Sequence, residues 1–559
     1  MNIQLGGLDA GIIGAYLLLT VGIGVLAALR RSKGAEGRHY FLADNTLTWP
    51  IIGLAMFAAN ISTVHLVSLA ETAYKYGLVY GNFEWMAGFT LILLSLFFAP
   101  LYLRSRVPTL PDFLERRFNR PCRDVLAVVS LFSAIVIHMG VALYTAAWVL
   151  RGVLGIDPDA TIFGVSALFF FIIVLGVLTG IYTMLGGLLA VVWTESMQTV
   201  LLLAGAVVIT VVGYLRLGGW SVLAETLATQ PHPMAGAIGV PDSTANFLHI
   251  ARDAQDASGL PWYSILLGYP VIGIWYWCCD QTIVQRVLAA KDERHARLGP
   301  LFCAFLKILP VFFFVLPGVI CVALVQRKAF GGEAPQAAAD TYTFMVTHLL
   351  PVGLKGLVTA AMLAAAMQTC SAALNSTATL FAYDIFKRWR PGTADHQLVV
   401  IGKITTVAGT ILAIICSPLF QHYNTIFEGL SRLICYVAPP ITAVFVLGVF
   451  WRGASARAAF VTLVGGGLLG AAIFFLDWFK VWTVNFMMTS FYLVVLCGVL
   501  MVVVSKITPE PLKEEARLLV WEDWREPLRG EAHGHGMGSF RVLTVLVLAV
   551  FVGLYIIFR

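Results

Sequence analysis

The sequence predicts an all-α polytopic membrane protein with about 14 transmembrane helices. Of its 559 residues, 59% are hydrophobic and 12% are charged, whereas a soluble domain usually carries about 25% charged residues. A helix needs ~20 consecutive apolar residues to cross the ~30 Å hydrocarbon core of a bilayer. Segments of that kind recur along nearly the whole chain, so we expect residues 1–559 to form a single membrane domain.

The candidate spans follow one another with short polar connections. The first contains Asp9 and runs on to Arg30, and its length favours a retained span over a signal peptide. The ninth is too long for one crossing, so we expect it to begin with a separate surface helix. In chain order the spans are 9–30, 48–70, 80–104, 123–150, 161–182, 188–215, 262–283, 300–326, 343–385, 399–418, 424–450, 458–476, 481–505 and 541–558.

The charged residues predict how the spans are oriented in the cell membrane. Lys and Arg are in excess in cytoplasmic loops, and they are abundant in the loops that an outside N-terminus would place in the cytoplasm, including 506–540. The predicted outside loop 217–262 has Arg252 as its only strong base. Both termini are therefore expected outside. The net charge of +6 reflects this orientation, and we expect no nucleic-acid partner.

The cysteines and the short motifs argue against several other classes of protein. The nine cysteines lie mostly in apolar segments and form no CxxC pair, so neither a disulfide framework nor a zinc site is expected. We find no nucleophile–base motif, phosphate-binding loop or metal-ligand spacing. The sequence therefore predicts a protein that is not an enzyme and has no organic cofactor.

The order of the spans predicts an inverted repeat. Spans two to six, in residues 48–215, and spans seven to eleven, in residues 262–450, form two sets of five. Because five is odd, the second set runs inverted to the first, as in many secondary transporters, and each set should open with a helix broken at mid-membrane. The first opens with AANIST and the second with LLGYPVIGIWYW. The remaining parts are an extra N-terminal helix (9–30), two further helices (458–505), a cytoplasmic linker (506–540) and a final helix (541–558).

Ionisable and polar side chains inside the predicted spans need a partner or a wet cavity. A charge at the bilayer centre costs about +2.5–3.5 kcal/mol on insertion scales. Glu84 and Lys307 could form a structural ion pair or snorkel to the interface, or they could line a cavity that binds hydroxyl groups beside the aromatic WYW at 275–277. His138 favours a structural role. The hydroxyl-rich residues 364–388 could pack helices closely or offer oxygen ligands to Na⁺.

Seven motifs together resemble those of the sodium/solute symporter family, and within it the sodium/glucose cotransporter branch, over about residues 38–505. This resemblance implies a leucine-transporter-like 5+5 inverted repeat, alternating access and a sodium gradient as the driving force. The motifs are YFLADNTLTWPIIGLAMFAANIST, FEW, VPTLPDFLERRF, YTMLGGLLAVVWTESMQTV, WYWCCDQTIVQRVLAAKD, LNSTATLFAYDIF and APPITAVFVLGVFWR.

The resemblance also implies two kinds of ion site. The sodium ligands would be the backbone carbonyls of Ala58, Ile61 and Ala365 and the side chains of Gln368 and Thr369. Gln368 stands where relatives usually carry a serine, a departure that bears on sodium affinity. A second ion site, found in some relatives, would use Glu195 and Ser371.

The substrate site implied by the resemblance contains both matches and departures. Asn60, His65, Glu84, Tyr276, Trp277 and Lys307 stand at binding or gating positions of the sugar cotransporters, with Tyr276 as the inner gate. Gly273 replaces a polar residue, and Ser431 replaces a glutamine that contacts the sugar ring. Arg432 has no expected counterpart. Its guanidinium could recognise the carboxylate of a sugar acid, or it could pair with a nearby acid such as Glu428.

The preferred function is secondary active transport, namely Na⁺-coupled symport of a monosaccharide or a sugar derivative across the lipid bilayer. One alternative is a non-sugar solute, such as a carboxylate or an amino acid, and another is proton coupling through His65, Glu84 or Glu195. A sodium-dependent sugar sensor or channel is the competing class. The 506–540 segment is too short for a signalling domain, which disfavours the sensor.

Overall fold

The computed structural model describes residues 6–29, 45–157, 160–237, 239–422, 426–482, 484–529 and 539–559, and most of these residues are helical. The first half contains α1 (Gly7–Leu29), α2 (Trp49–Asn60), α3 (Thr63–Tyr76), α4 (Asn82–Leu93), α5 (Ala99–Ser105), α6 (Leu110–Arg117), α7 (Arg120–Phe132), α8 (Val141–Val153), α9 (Ala167–Leu217) and α10 (Trp220–Thr229). A small antiparallel hairpin, β1 (Thr161–Ile162) and β2 (Val165–Ser166), precedes α9.

The second half of the described chain continues in the same way. Its helices are α11 (Trp262–Ile274), α12 (Gln281–Leu288), α13 (Glu293–Leu306), α14 (Leu316–Gln326), α15 (Thr341–Leu349), α16 (Leu354–Leu380), α17 (Lys387–Trp389), α18 (Asp395–Cys416), α19 (Ile426–Phe450), α20 (Ala456–Trp478), α21 (Phe486–Ile507), α22 (Glu514–Arg517), α23 (Glu526–Arg529) and α24 (Phe540–Ile557). The predicted all-helical membrane fold is confirmed: eleven helical stretches of the described residues are long and apolar enough to cross a membrane.

Several of these spans contain a turn of π-helix, in which the backbone hydrogen bonds join residues five apart instead of four. Such turns are often found at functional sites. Two of them, Ser133–Gly140 and Trp275–Cys279, lie beside the cavity described below. Others connect α4 to α5, precede α14 and follow α16; they are Leu94–Phe98, Val311–Val315 and Phe381–Phe386. Short 3₁₀ turns complete the helical segments at Gly77–Gly81, Ala338–Asp340 and Ser417–His422.

The first predicted break lies where the sequence places it. The last helical residue of α2 is Asn60, Ile61 is extended with φ −76° and ψ 115°, and α3 begins after Ser62, which is also extended. Extended backbone here leaves carbonyl groups without helical partners, and such groups are tolerated in a membrane only beside a cavity or inside protein. The break at 61–62 therefore marks a place where the chain is expected to meet a ligand.

The second break lies later than predicted. Helix α11 continues through Gly268, Pro270 and Gly273, and the chain becomes extended only at Asp280, with φ −85° and ψ 124°. The two glycines allow close packing instead of ending the helix: a Cβ on Gly268 would lie 2.3 Å from the carbonyl oxygen of Met487. The expectation of a break at the Gly–Pro segment is thus wrong.

The longest helix corresponds to two predicted spans. Helix α9 has 51 residues and contains two membrane-length stretches, Ala167–Met184 and Met197–Leu217. Two residues of α9 contact the same turn of α16. The Tyr182 hydroxyl donates to the Met367 carbonyl at 2.9 Å, and the Glu195 carbonyl accepts a hydrogen bond from Gln368 Nε2 at 3.4 Å. The predicted ninth span is also divided as expected, into the short α15 and the long α16.

A polar segment, described at residues 218–237 and 239–261, and helix α24 cover one end of α3 and α4. Arg252 donates to the Tyr76 carbonyl at 2.7 Å, and the backbone N–H of Ile250 donates to the Phe558 carbonyl at 2.8 Å. The Tyr555 hydroxyl donates to Asn82 Oδ1 at 2.9 Å, beside the first turn of α4. This end of the protein is therefore built from three parts that are far apart in the sequence: α3 with α4, the polar segment and α24.

His232 forms two hydrogen bonds in this polar segment that should be lost at acidic pH. Its Nε2–H donates to the Tyr74 carbonyl at 2.7 Å, and its Nδ1 accepts the Met234 N–H at 2.9 Å, an arrangement that needs the neutral ring. Burial lowers the pKa of His232 in the folded protein. Because the unfolded chain then takes up a proton more readily, we expect the melting temperature to fall as the pH drops below about 6.5.

The measurement is the melting temperature of the purified protein between pH 5 and 8. His232→Gln should flatten the acid side of this profile, whereas the exposed His249 of the same segment provides a matched control, His249→Gln. An unchanged acid slope in His232→Gln would show that other groups cause the loss of stability.

Candidate functional site

A cavity with about 130 Å³ of free volume lies between the two broken helices and α4, α13, α16 and α19. It is lined by eight of the nine side chains or glycines predicted to bind substrate. Because α2 and α3 meet at the first break, residues from both ends of that break reach this one space. The eight are Asn60, His65, Glu84, Gly273, Tyr276, Trp277, Lys307 and Ser431.

The first break orients His65 towards the cavity. Ser62 precedes α3, and its backbone N–H donates to His65 Nδ1 at 3.2 Å, so this ring nitrogen is an acceptor. The Ser62 hydroxyl lies 3.2 Å from the same nitrogen. The proton of neutral His65 is then on Nε2, which lies 3.7 Å from Glu84 Oε1. The segment NISTVH, residues 60–65, thus places the Nε2–H of His65 next to the buried carboxylate of Glu84.

Lys307 is at the centre of the polar network. It follows the last residue of α13, three residues before Pro310, whose missing N–H ends the regular helix. Its Nζ donates to Glu84 Oε2 at 2.5 Å and also to Asn60 Oδ1. Asn60 Nδ2 in turn donates to the Tyr276 hydroxyl at 3.1 Å. Lys307 and Glu84 are 1% and 2% exposed, so two charges are buried together and neutralise each other.

Tyr276 and Trp277 form the aromatic wall of the cavity. They lie in the π-helical turn Trp275–Cys279, with ring centroids 5.1 Å apart and ring planes at 77°. The Lys307 ammonium lies 5.3 Å from the Trp277 ring centroid, within range for a cation–π contact. Gly273 presents only backbone atoms to the cavity. A larger residue would not fit at this position, because its Cβ would lie 2.7 Å from the Tyr269 ring and 2.8 Å from Thr90.

Arg432 does not line the cavity, so the structure does not support its predicted contact with substrate. Its guanidinium forms a 2.6 Å hydrogen bond to Asp477 of α20, and 37% of its side chain is exposed. The physical reason is that an acid from a neighbouring helix already neutralises the arginine. The side chain of Glu428, the other expected partner, lies outside the described residues. Asp477 was missed because nothing in the local sequence connects it to Arg432.

The residues of the expected sodium site lie at the first break and on the facing turn of α16. Ala58 and Ile61 flank the end of α2, and Thr369 lines the cavity. The Thr369 hydroxyl donates to the Ala365 carbonyl at 3.3 Å, so these two oxygens are adjacent. Gln368 instead contacts α9 through its Nε2, and its fully buried Oε1 has no hydrogen-bond partner in the described part of the chain.

Glu195 and Ser371, expected to form a second ion site, have protein partners. Glu195 accepts a hydrogen bond from Arg286 at 2.7 Å, and both side chains are fully buried. The Ser371 hydroxyl donates to the Gln368 carbonyl at 2.9 Å. Arg286 is a functional residue that was not predicted, although its position has a sequence signal: a lone arginine within the WYWCCDQTIVQR motif predicts a buried acid as its partner.

A cavity with a buried polar network between two broken helices is the arrangement that secondary transporters use. The family match reported next shows that the protein is a transporter and not an enzyme. The profile of the Sodium:solute symporter family matches residues 40–466. The chain belongs to this family, whose members couple a solute to Na⁺.

Known proteins agree with this assignment. Sodium/glucose cotransporter 2 of Rattus norvegicus is 36% identical over 490 residues, which cover 83% of this chain and 71% of the relative. The sodium/mannose cotransporter SLC5A10 of Bos taurus is 31% identical, over 96% of this chain and 93% of the relative. A solved structure of a Na⁺-coupled sialic acid symporter superposes with a TM-score of 0.75 at 22% identity, over 91% of this chain and 99% of that one. The leucine-transporter-like fold is thereby confirmed.

Proposed function

We propose that the protein carries one neutral monosaccharide together with Na⁺. The observation that carries this proposal is the Lys307–Glu84–Asn60–Tyr276 network, in which the charges cancel and several donors and acceptors remain beside the cavity. A sugar needs convergent hydrogen-bonding groups of both kinds and an aromatic wall, which Tyr276 and Trp277 supply.

Charge balance favours a neutral solute over a sugar acid. The Lys307 ammonium lies against the Glu84 carboxylate, and the Arg432 guanidinium lies against Asp477 outside the cavity lining. A carboxylate ligand would have to compete with these acids for its cation, at the expense of leaving a buried carboxylate without its partner. A neutral hydroxyl group leaves both pairs intact.

The names of the relatives support a single neutral sugar unit as the solute. The relatives named above are described as cotransporters of glucose and mannose, which are both neutral hexoses.

For Na⁺, we propose a site at the first break, formed by the carbonyls of Ala58, Ile61 and Ala365 and the hydroxyl of Thr369. Hard cations prefer oxygen ligands, and a broken helix frees carbonyl oxygens for this purpose. Gln368 is the fifth expected ligand. Its side chain contacts α9 here, so it would have to change rotamer to join the others.

Thr369→Ala tests the sodium site. Loss of one oxygen ligand should raise the Na⁺ concentration for half-maximal uptake by about tenfold, which corresponds to about 1.4 kcal/mol. Thr359→Ala is the matched control, because Thr359 is also buried in α16 and donates to the carbonyl four residues earlier, at 2.8 Å. Equal sodium dependence in the two variants would remove Thr369 from the site.

The substrate is tested by solute-induced currents from proteoliposomes on a solid-supported membrane. Neutral hexoses, sugar acids and amino acids are each applied with Na⁺ or with choline in its place. We expect currents with a neutral hexose in Na⁺ only. Currents restricted to sugar acids or amino acids would contradict the proposal, as would currents that persist in choline.

We also propose the orientation and the repeat boundaries expected from the sequence, namely both termini outside and repeats at 48–215 and 262–450. The contact of Ile250 with Phe558 supports the orientation, because it brings the end of α24 against the 217–262 segment, which the charge pattern assigns to the outside. Cysteine labelling from either side of the membrane, at positions 236 and 559, tests this arrangement.

A further inference from the structure

Buried carboxylates of the described residues differ in the cation that accompanies them. Glu71, Glu84, Asp112, Glu195 and Asp384 each lie within 3.2 Å of a lysine or arginine nitrogen, and Asp9 accepts backbone N–H groups from Gly6, Gly353 and Gly356. Asp280 is the exception in this part of the chain. Its charged-group partner is His138, with Nε2 and Oδ2 3.1 Å apart.

This pair joins the second break to the cavity. Asp280 is the extended residue between the π-helical turn and α12, and its Oδ1 accepts the Thr282 N–H at 2.7 Å. His138 lies in the π-helical turn Ser133–Gly140 and lines the cavity. Its ring centroid is 5.7 Å from that of Tyr276. His138 is 8% and Asp280 6% exposed, so the contact is shielded from bulk water.

The contact with Asp280 determines which nitrogen His138 offers to a ligand. An ionised carboxylate can only accept, so the shared proton lies on Nε2 and the neutral ring keeps an acceptor lone pair on Nδ1. No residue of the described chain forms a hydrogen bond with this Nδ1. A cavity-lining histidine whose second nitrogen is unused can accept a hydrogen bond from a ligand hydroxyl.

We propose that His138 is a further substrate-binding residue, which contacts a substrate hydroxyl through Nδ1, and that Asp280 is its positioning residue. The inference rests on the proposed function, because it assigns one more contact to the same hydroxylated substrate. It differs from a purely structural role, in which the ring would only fill space and stabilise the end of α12.

Glutamine and asparagine variants distinguish the roles of the two ring nitrogens of His138, because the two amide side chains differ in length. His138→Gln places an N–H near the Nε2 position, so it preserves the contact with Asp280 and removes the acceptor at Nδ1. We expect its KM for the transported hexose to rise about two- to tenfold, the value of one neutral hydrogen bond, with Vmax little changed. His138→Asn places its amide oxygen near Nδ1 and should recover part of the affinity.

Singly deoxygenated hexoses provide the decisive comparison. One deoxy analogue should bind more weakly than the parent sugar in the wild type but equally well in His138→Gln, because the hydroxyl and Nδ1 form one interaction. His348→Gln is the matched control. His348 pairs with Glu333 at 3.0 Å and does not line the cavity, so this variant should keep the wild-type difference between the two sugars.

An unchanged KM in His138→Gln would overturn the proposal, as would a deoxy analogue that binds as weakly relative to the parent sugar in this variant as in the wild type. If the wild type transports no hexose, the proposed function fails instead, and the pair is tested through stability. Asp280→Asn removes the charge that strengthens the hydrogen bond to His138, so the melting temperature of the empty protein should fall below that of the wild type. Equal melting temperatures of the two proteins would then count against the pair.

Discussion

Lys307→Ala and Glu84→Ala should each reduce sugar uptake by about 100-fold or more, while the protein still inserts into the membrane. Each variant removes hydrogen bonds to a charged group, which are worth about 1.5–3 kcal/mol apiece. Each also leaves the opposite charge buried without its partner, a loss of about 3–5 kcal/mol of stability. Uptake into proteoliposomes and the melting temperature of the purified protein measure the two effects separately.

The double variant Glu84→Gln/Lys307→Met separates binding from folding. It removes both charges and conserves volume, so stability should return towards that of the wild type while uptake stays lost. Arg452→Ala, which breaks an exposed ion pair with Glu522, is the control and should change neither quantity measurably. Normal uptake in both single alanine variants would remove Glu84 and Lys307 from the substrate site.

The second large effect concerns Arg286, whose guanidinium neutralises Glu195 between α12 and α9. Arg286→Met should lower the free energy of unfolding by about 3–5 kcal/mol, because it leaves Glu195 as an unpaired charge in the core. Glu195→Gln/Arg286→Met should recover most of this loss. The melting temperature and the yield of monodisperse protein measure the change.

The same double variant tests whether Glu195 binds an ion. We expect its sodium half-saturation to equal that of the wild type, because Arg286 already provides the positive charge that Glu195 requires. A marked rise in the sodium concentration needed, in a double variant of normal stability, would instead assign Glu195 to a second ion site with Ser371.

The fold could be predicted from the sequence because its main determinants are local. Apolar length identifies spans, and the polar AANIST within an apolar segment identifies the first break at Ile61. The second break was placed wrongly because a glycine within an apolar segment can either end a helix or allow another helix to pack closely. Gly268 serves close packing against Met487, and only the neighbouring helix, far along the chain, distinguishes packing from helix termination.

The site could be predicted in its composition but not in its pairing. Resemblance to the family identified Asn60, Glu84 and Lys307, which the structure brings together. The partners of Arg432 and His138 could not be inferred, because Asp477 and Asp280 lie 45 and 142 residues away along the chain. Such pairs are set by the packing of helices, and a single sequence contains no local signal for them.

Helix α24 has a consequence for how the protein is made. Its Tyr555 is hydrogen-bonded to Asn82, 473 residues earlier, and Phe551 packs where a Cβ on Gly88 would lie. Both contacts are with α4, the helix that carries Glu84. During synthesis, α4 enters the membrane long before α24 leaves the ribosome. The face of α4 that packs against Phe551 and Tyr555 therefore stays without these contacts until the chain is complete. Assembly of the binding site is therefore one of the last events of biogenesis, and the nascent chain depends until then on lipid or on the insertion machinery to cover that face of α4.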